Sequence, residues 1–132
     1  MRAVLDTHAW LWWVTRDARL SVPALEAVDS GQSAGTLWLS AFSIWEVAKK
    51  VQKGQLVLDR PLDDWLDQAT TPAGLHVAEL TRAVLVESCR LPGGFAGDPA
   101  DAIIVATARS LGAVLVTKDR RIRGYGQVRT IW

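Results

Sequence analysis

The chain has 132 residues, 49% of them hydrophobic and 22% charged, with a formal net charge of +1. That profile excludes an intrinsically disordered chain, and near-neutrality excludes a generally basic nucleic-acid binder, though not one that works through a local patch. The single Cys89 forms no internal disulfide, no Cys/His cluster points to zinc, and no apolar run reaches the ~18 residues of a membrane span. The length fits one domain over residues 1–132, and the lack of an apolar leader points to the cytoplasm, with no membrane attachment.

Ala3-Val-Leu5 reads as a short buried strand, followed at once by a helix from Thr7 to about Val14. Ser21 is an N-cap with Pro23 in the first turn, and predicts a helix to about Ser30 ended by Gly31. Thr36–Leu39 is a second strand, and Ser40 caps a helix that runs to about Lys53, where Gly54 stops it. Leu62, Trp65, Leu66 and Ala69 share one face of a helix opened by Pro61. Leu75–Ala78 is a third strand, and Thr81 caps a helix to about Cys89. After a Pro/Gly loop over 91–97, Asp98 caps a helix with Pro99 at its first position, ending at Gly112. Ala113–Val116 is a buried strand and Val128–Ile131 a final one. Strands alternating with helices predict an α/β fold, a mostly parallel sheet covered on both faces.

Four acids stand out because each is embedded in apolar sequence. Asp6 closes the first strand, Glu46 lies in Ser43-Ile-Trp-Glu46-Val-Ala-Lys-Lys50, Asp101 opens an apolar helix, and Asp119 follows the strand ending at Val116. Buried acids are costly unless something positive lies between them, and a divalent cation is the simplest candidate. Ligands of open parallel sheets bind beyond the carboxyl ends of the strands, where Asp6 and Asp119 fall. Ile104, Val105 and Ala108 follow Asp101 at helical spacing, so Asp101 is aimed inward, and Asp98 faces the same side as an accessory ligand. Each acid also has a bland role. Asp98 serves as an N-cap and Asp101 as a first-turn acid; Glu46 closes a capping box with Ser43 or pairs with Lys49 and Lys50; Asp119 belongs to an ordinary turn. Asp6 has the weakest bland explanation. An all-oxygen ligand set suits magnesium or manganese, and hydrolysis of a phosphodiester by metal-activated water is the reaction that fits best.

The chain resembles the PIN-domain family, in particular VapC-type ribonuclease toxins of toxin–antitoxin pairs. The resemblance runs over essentially the whole chain, through Val4-Leu-Asp6-Thr-His8, Ser43–Lys50, Gly97-Asp-Pro-Ala-Asp101-Ala-Ile-Ile-Val-Ala-Thr-Ala108 and Leu115-Val-Thr117-Lys-Asp119. It implies a three-layer α/β/α fold, magnesium- or manganese-dependent endoribonuclease activity, a small cognate antitoxin and a homodimer. It also implies Asp6, Glu46 and Asp101 as the core of a metal site, Asp119 as a fourth acid and Thr117 as its supporting hydroxyl.

Two basic clusters, Lys49, Lys50 and Lys53 on one side and Lys118, Arg120, Arg121 and Arg123 on the other, flank the proposed site and suit RNA phosphates. A solvated helix face and a charged turn are their bland alternatives. Of the seven tryptophans, Trp38, Trp45 and Trp65 fall at core positions, Trp10 and Trp13 share a helix face, and Trp12 is turned away as an exposed partner contact. His8 and His76 are available as general bases. A catalytically silent RNA- or protein-binding module remains an alternative. So does a metal-dependent phosphatase, against which His8 counts by standing where a second acid is expected.

Overall fold

The computed structural model describes residues 1–132, and its centre is a sheet of five parallel strands in the order β3-β2-β1-β4-β5. The strands are β1 (Ala3–Leu5), β2 (Leu37–Ser40), β3 (Leu75–Ala78), β4 (Val114–Val116) and β5 (Thr130–Ile131). The helices are α1 (Thr7–Val14), α2 (Val22–Ala34), α3 (Ala41–Gln52), α4 (Leu62–Thr70), α5 (Arg82–Ser88), α6 (Pro99–Ser110) and α7 (Arg120–Arg123). The expected mostly parallel sheet is parallel throughout, with Leu5 in register with Leu39 on one side and Val116 on the other.

Alternation along the strands divides the apolar residues between two cores. Ala3 and Leu5 of β1, with Val114 and Val116 of β4, face a cluster completed by Trp10, Ala24, Val28, Val47, Trp65 and Ala69 from α1 to α4. Val4 and Leu115 face the opposite way, onto Val84 of α5, Ile104, Val105 and Ala108 of α6, and Ile122 of α7. This is the three-layer α/β/α arrangement: a strand buried on both faces has no polar side to show. Each fully buried Leu or Ile contributes roughly 1.5–3 kcal/mol. Trp10 buries its indole without an orphan donor, because its Nε1–H donates to the Ala69 carbonyl at 3.0 Å while its ring meets Trp65 edge-on.

Several boundaries differ from the sequence reading. The helix expected to stop at Gly31 continues to Ala34, and Gly35, at φ 70°, caps it in the left-handed region. Gly31 stays helical because its bare Cα side lies against Ala3 and Leu37, so packing outweighs its weak propensity. The segment after Asp119, read as a turn, closes into the short helix α7. Trp45, expected in the core, is 54% exposed and stacks on Phe42. Trp12 is half-buried rather than exposed, and Trp38 is half-buried against the second core. No helix is long and apolar enough to cross a membrane.

The chain leaves β1 towards β2 and β3 on one side, then crosses back to β4 and β5 on the other. The crevice between the carboxyl ends of β1 and β4 is therefore the switch point, where loops part in opposite directions and side chains can converge.

Candidate metal centre

Asp6 stands at this crevice. Its backbone N–H donates to the Val116 carbonyl at 3.0 Å, extending the β1–β4 ladder by one residue, and its side chain caps α1. It is only 4% exposed, yet neither carboxylate oxygen is orphaned. Oδ1 accepts from the Thr7 N–H at 2.8 Å, and Oδ2 accepts from the Thr117 hydroxyl at 2.6 Å. Each oxygen retains a further lone pair for a cation. Thr117 is itself buried and takes the Asp119 N–H at 3.0 Å on the same hydroxyl, so it ties the two strand-end acids together.

Glu46 reaches the crevice from the middle of α3. Neither of its bland roles is realised as expected. Ser40 caps α3 through the Phe42 N–H, and Ser43, expected as a capping partner, is buried against Thr7. The Thr7 hydroxyl lies 2.8 Å from Ser43 Oγ and donates to Glu46 Oε1 at 2.6 Å. Lys50, one turn on, is near enough to oppose the rise in the Glu46 pKa. Lys49 instead donates to Gln52 at 2.7 Å. Thr7 and Ser43 are site residues that the sequence reading passed over; their signal was small hydroxyls at otherwise apolar, inward positions.

Asp98 and Asp101 stand at the start of α6. Asp98 is exposed and does cap the helix, accepting the Asp101 N–H at 2.8 Å. Asp101 makes no such bond. Burial pushes its carboxyl up to about 7, and the negative charges of Asp98, Asp6, Asp119 and Glu46 push in the same direction. Burial is likewise the main cause that raises Glu46, with Asp6 and Asp98 adding to it and the Thr7 bond opposing it. Asp119 caps α7 through the Ile122 N–H at 3.0 Å. The structure thus brings Asp6, Glu46, Asp98, Asp101 and Asp119 into one electrostatic neighbourhood, from two strand ends and two helices.

These carboxylates ring the crevice without closing on one point. No three acidic, histidine or cysteine side chains are gathered tightly enough to enclose an ion by themselves. Such a ring still fits magnesium or manganese, since magnesium keeps several waters and is held by one or two carboxylates plus substrate oxygens rather than in an all-protein cage. The donors are all oxygen, which does not suit zinc.

His8 sits beside Asp6 with its Nδ1 3.6 Å from Asp6 Oδ2. Its Nε2 accepts the Lys118 N–H at 3.0 Å, which places the proton of the neutral ring on Nδ1. Burial lowers its pKa despite the raising pull of Asp6 and Asp119. With Nε2 already engaged, His8 braces the loop after β4 and is not set up as a general base. His76 lies away from the crevice, stacked near Trp38 and bonded to the Gly35 carbonyl. Of the C-terminal basic cluster, Lys118 and Arg120 line a cavity together with His8, Trp12 and Asp119, whereas Arg121 and Arg123 are exposed on α7 away from that wall.

Fold and site together define a doubly wound α/β protein with an acid-lined crevice at its switch point. The PIN domain family model matches residues 3–127, and the chain belongs to that family. It is 36% identical to Ribonuclease VapC22 of Mycobacterium tuberculosis over 131 residues, covering 98% of this chain and 97% of that protein. Among solved structures it is similar to VapBC2 from Rickettsia felis bound to a promoter DNA fragment, with a TM-score of 0.73 at 15% identity over 98% of this chain and 97% of the other. A toxin–antitoxin complex from Klebsiella pneumoniae gives a TM-score of 0.64 at 18% identity, over 96% and 94% of the two chains. At these identities the structural likeness is one of fold.

Proposed function

We propose that this PIN-domain protein is the ribonuclease toxin of a toxin–antitoxin pair, a divalent-metal-dependent endoribonuclease acting as one domain over residues 1–132. The observation that carries the proposal is the acid-ringed switch point, in which Asp101 is held near neutrality by burial and by four neighbouring acids. An acid cluster so strained has an evident use once a dication is present. Asp6, Glu46, Asp101 and Asp119 would hold magnesium or manganese, with Asp98 as an accessory ligand. When bound, the ion supplies a Lewis acid that lowers the pKa of water and neutralises phosphoryl oxygens.

The chain's own residues do the remaining work. Thr117 and the Thr7 N–H orient Asp6, and the Thr7 hydroxyl orients Glu46. Burial of Asp6 and the apolar stripe behind Asp101 exclude bulk water from one side of the crevice. Lys118 and Arg120, with Lys50 opposite, supply positive charge for RNA phosphates; Arg121 and Lys49 have a lesser part. The relative from M. tuberculosis, named a ribonuclease, supports the activity, and the toxin–antitoxin complex among the structural neighbours supports a small antitoxin as partner. A homodimer completes the proposal.

The test is direct. Purified protein should cleave RNA with added magnesium or manganese and not with a chelator, and Asp6→Asn should abolish cleavage. Full activity in Asp6→Asn would sink the assignment. Full activity in the chelator would remove the metal from it.

A further inference from the structure

Beside the acid crevice lies a shallow, open hollow of about 320 Å³ lined by His8, Trp12, Lys118, Asp119 and Arg120. This volume is at the lower end of the range of small-ligand sites, about 300–1,000 Å³. Its aromatic wall is more than one ring deep. The His8 and Trp12 centroids are 5.1 Å apart, Trp132 lies 5.7 Å from His8 and 5.8 Å from Trp12, and all three pairs are tilted or edge-on. Trp12 packs into neither apolar core, unlike its neighbours Trp10 and Trp13. Trp12 is thus a half-buried indole beside the candidate site and outside both cores, held by His8, Trp132 and Arg19.

The charges around it are of two kinds. Arg19 lies 4.7 Å over the Trp12 ring, but its guanidinium is paired with Asp17 at 2.8 Å, so it braces the indole and leaves little charge for a ligand. Lys118 and Arg120 enter no ion pair; Lys118 Nζ lies over the Trp12 ring, 5.6 Å from its centroid, and a stacking base would take its place there as the ammonium turns to the phosphate. The hollow therefore combines a π-surface, two cations without an acidic partner and, through Asp119, a shared wall with the candidate metal site. An aromatic face with adjacent cations is the recognition chemistry of an unpaired nucleotide: the base stacks and the phosphate meets the cations.

We propose that Trp12, braced by His8 and Arg19 and backed by Trp132, is a stacking platform for one unpaired base next to the scissile phosphate, with Lys118 and Arg120 on the flanking phosphate. This rests on the ribonuclease reading and deepens it by assigning one residue, Trp12, to hold the base; an A-form duplex, whose bases are not free to stack on a protein ring, would not engage it.

The test uses the full chain and a 5′-labelled mixed-sequence RNA 12-mer, single-stranded or annealed to its complement. Affinity is read by anisotropy in the non-cleaving Asp6→Asn background, and cleavage in the native background with magnesium. Trp12→Leu should weaken single-strand binding about tenfold, while Trp12→Phe should stay within about threefold of the parent, since stacking is worth roughly 5- to 150-fold per base. The parent should also prefer the single strand to the duplex. Circular dichroism of Trp12→Leu establishes folding, and rescue by Trp12→Phe separates stacking from packing. If the native protein cleaves RNA yet Trp12→Leu binds and cleaves it unchanged, the platform is overturned and the ribonuclease assignment stands. Loss of antitoxin binding with RNA binding intact overturns it in favour of a protein contact. If the native protein neither binds nor cleaves RNA, both proposals fall together.

Discussion

Thr117 is the residue on which the most geometry depends. Its one hydroxyl donates to Asp6 Oδ2 and accepts the Asp119 N–H, so Thr117→Val removes both bonds while keeping the shape. Loss of such a supporting bond typically lowers metal affinity or activity about 10- to 100-fold, and this is the expected drop in metal-dependent cleavage, with apparent metal affinity falling alongside. Asp101 gives a prediction of a different kind. Its folded pKa, about 7, stands above the ordinary 3.8, so between those values the folded chain holds more protons than the unfolded one. The contribution of Asp101 to the stability of the chelated protein then falls as pH rises through that window, and is lowest above it. Asp101→Asn removes the penalty: thermal melts in chelator should show the variant more stable than the parent at pH 8, with the difference shrinking towards pH 4.

The helices that frame the sheet carry their own contrast, between two glycines. Gly31 lies inside α2, where a Cβ would meet Leu37 and Ala3 at 3.6 and 3.7 Å, ordinary contact distances. Gly31→Ala should therefore stabilise the protein by about 1 kcal/mol, the propensity difference in a helix. Gly74, just before β3, has φ +85°, and a Cβ there would lie 2.1 Å from the Gln32 carbonyl oxygen. Gly74→Ala should destabilise by at least the roughly 1–3 kcal/mol of a strained dihedral, because backbone cannot yield as a flexible side chain can. Denaturant unfolding of the two variants reads both signs; a destabilising Gly31→Ala would show that α2 is packed more tightly against β1 and β2 than these distances imply. The same helix explains a misplaced boundary: glycine was read as a stop, whereas the contact with Ala3 and Leu37 keeps the chain helical for another turn.

For the molecule as a whole, the proposed metal centre would link ion binding to folding through the crevice. A divalent ion held as proposed would bind only the assembled set, since its candidate ligands come from the end of β1, α3, α6 and the loop after β4. At a hundredfold excess over the dissociation constant it should stabilise the fold by about 2.7 kcal/mol. The rise in melting temperature with magnesium should be largest above pH 7, where Asp101 no longer has a proton to lose, and should vanish in Asp6→Asn. A net charge of +1 implies no long-range steering of RNA by the whole surface. On the proposed function attraction would be local to Lys50, Lys118 and Arg120, so salt should weaken binding with a shallow slope, about 0.7 per phosphate contacted on a single strand.

Much of this was legible in the chain alone, for physical reasons. Strand and helix identities follow from apolar runs, N-caps and glycine stops, which are local, and Asp6 is conspicuous as an acid directly after a buried strand, although the structure also gives it a local role as the N-cap of α1. The same locality hid other features. Thr7 and Ser43 look like ordinary helix residues until α1 and α3 bring their hydroxyls to 2.8 Å. Trp45 has the spacing of a core residue, but its face of α3 is not covered, and the ring is left to stack on Phe42. His8 could be read as a base until Lys118, far along the chain, took up its Nε2. Residue types and their order determined that Asp6 and Asp119 would follow strands, that Asp101 would open a helix and that Glu46 would lie within one. Only the β1–β4 crossover decided that they would share one crevice, because charge repulsion, hydroxyl bonds and burial act through space between elements that the chain separates.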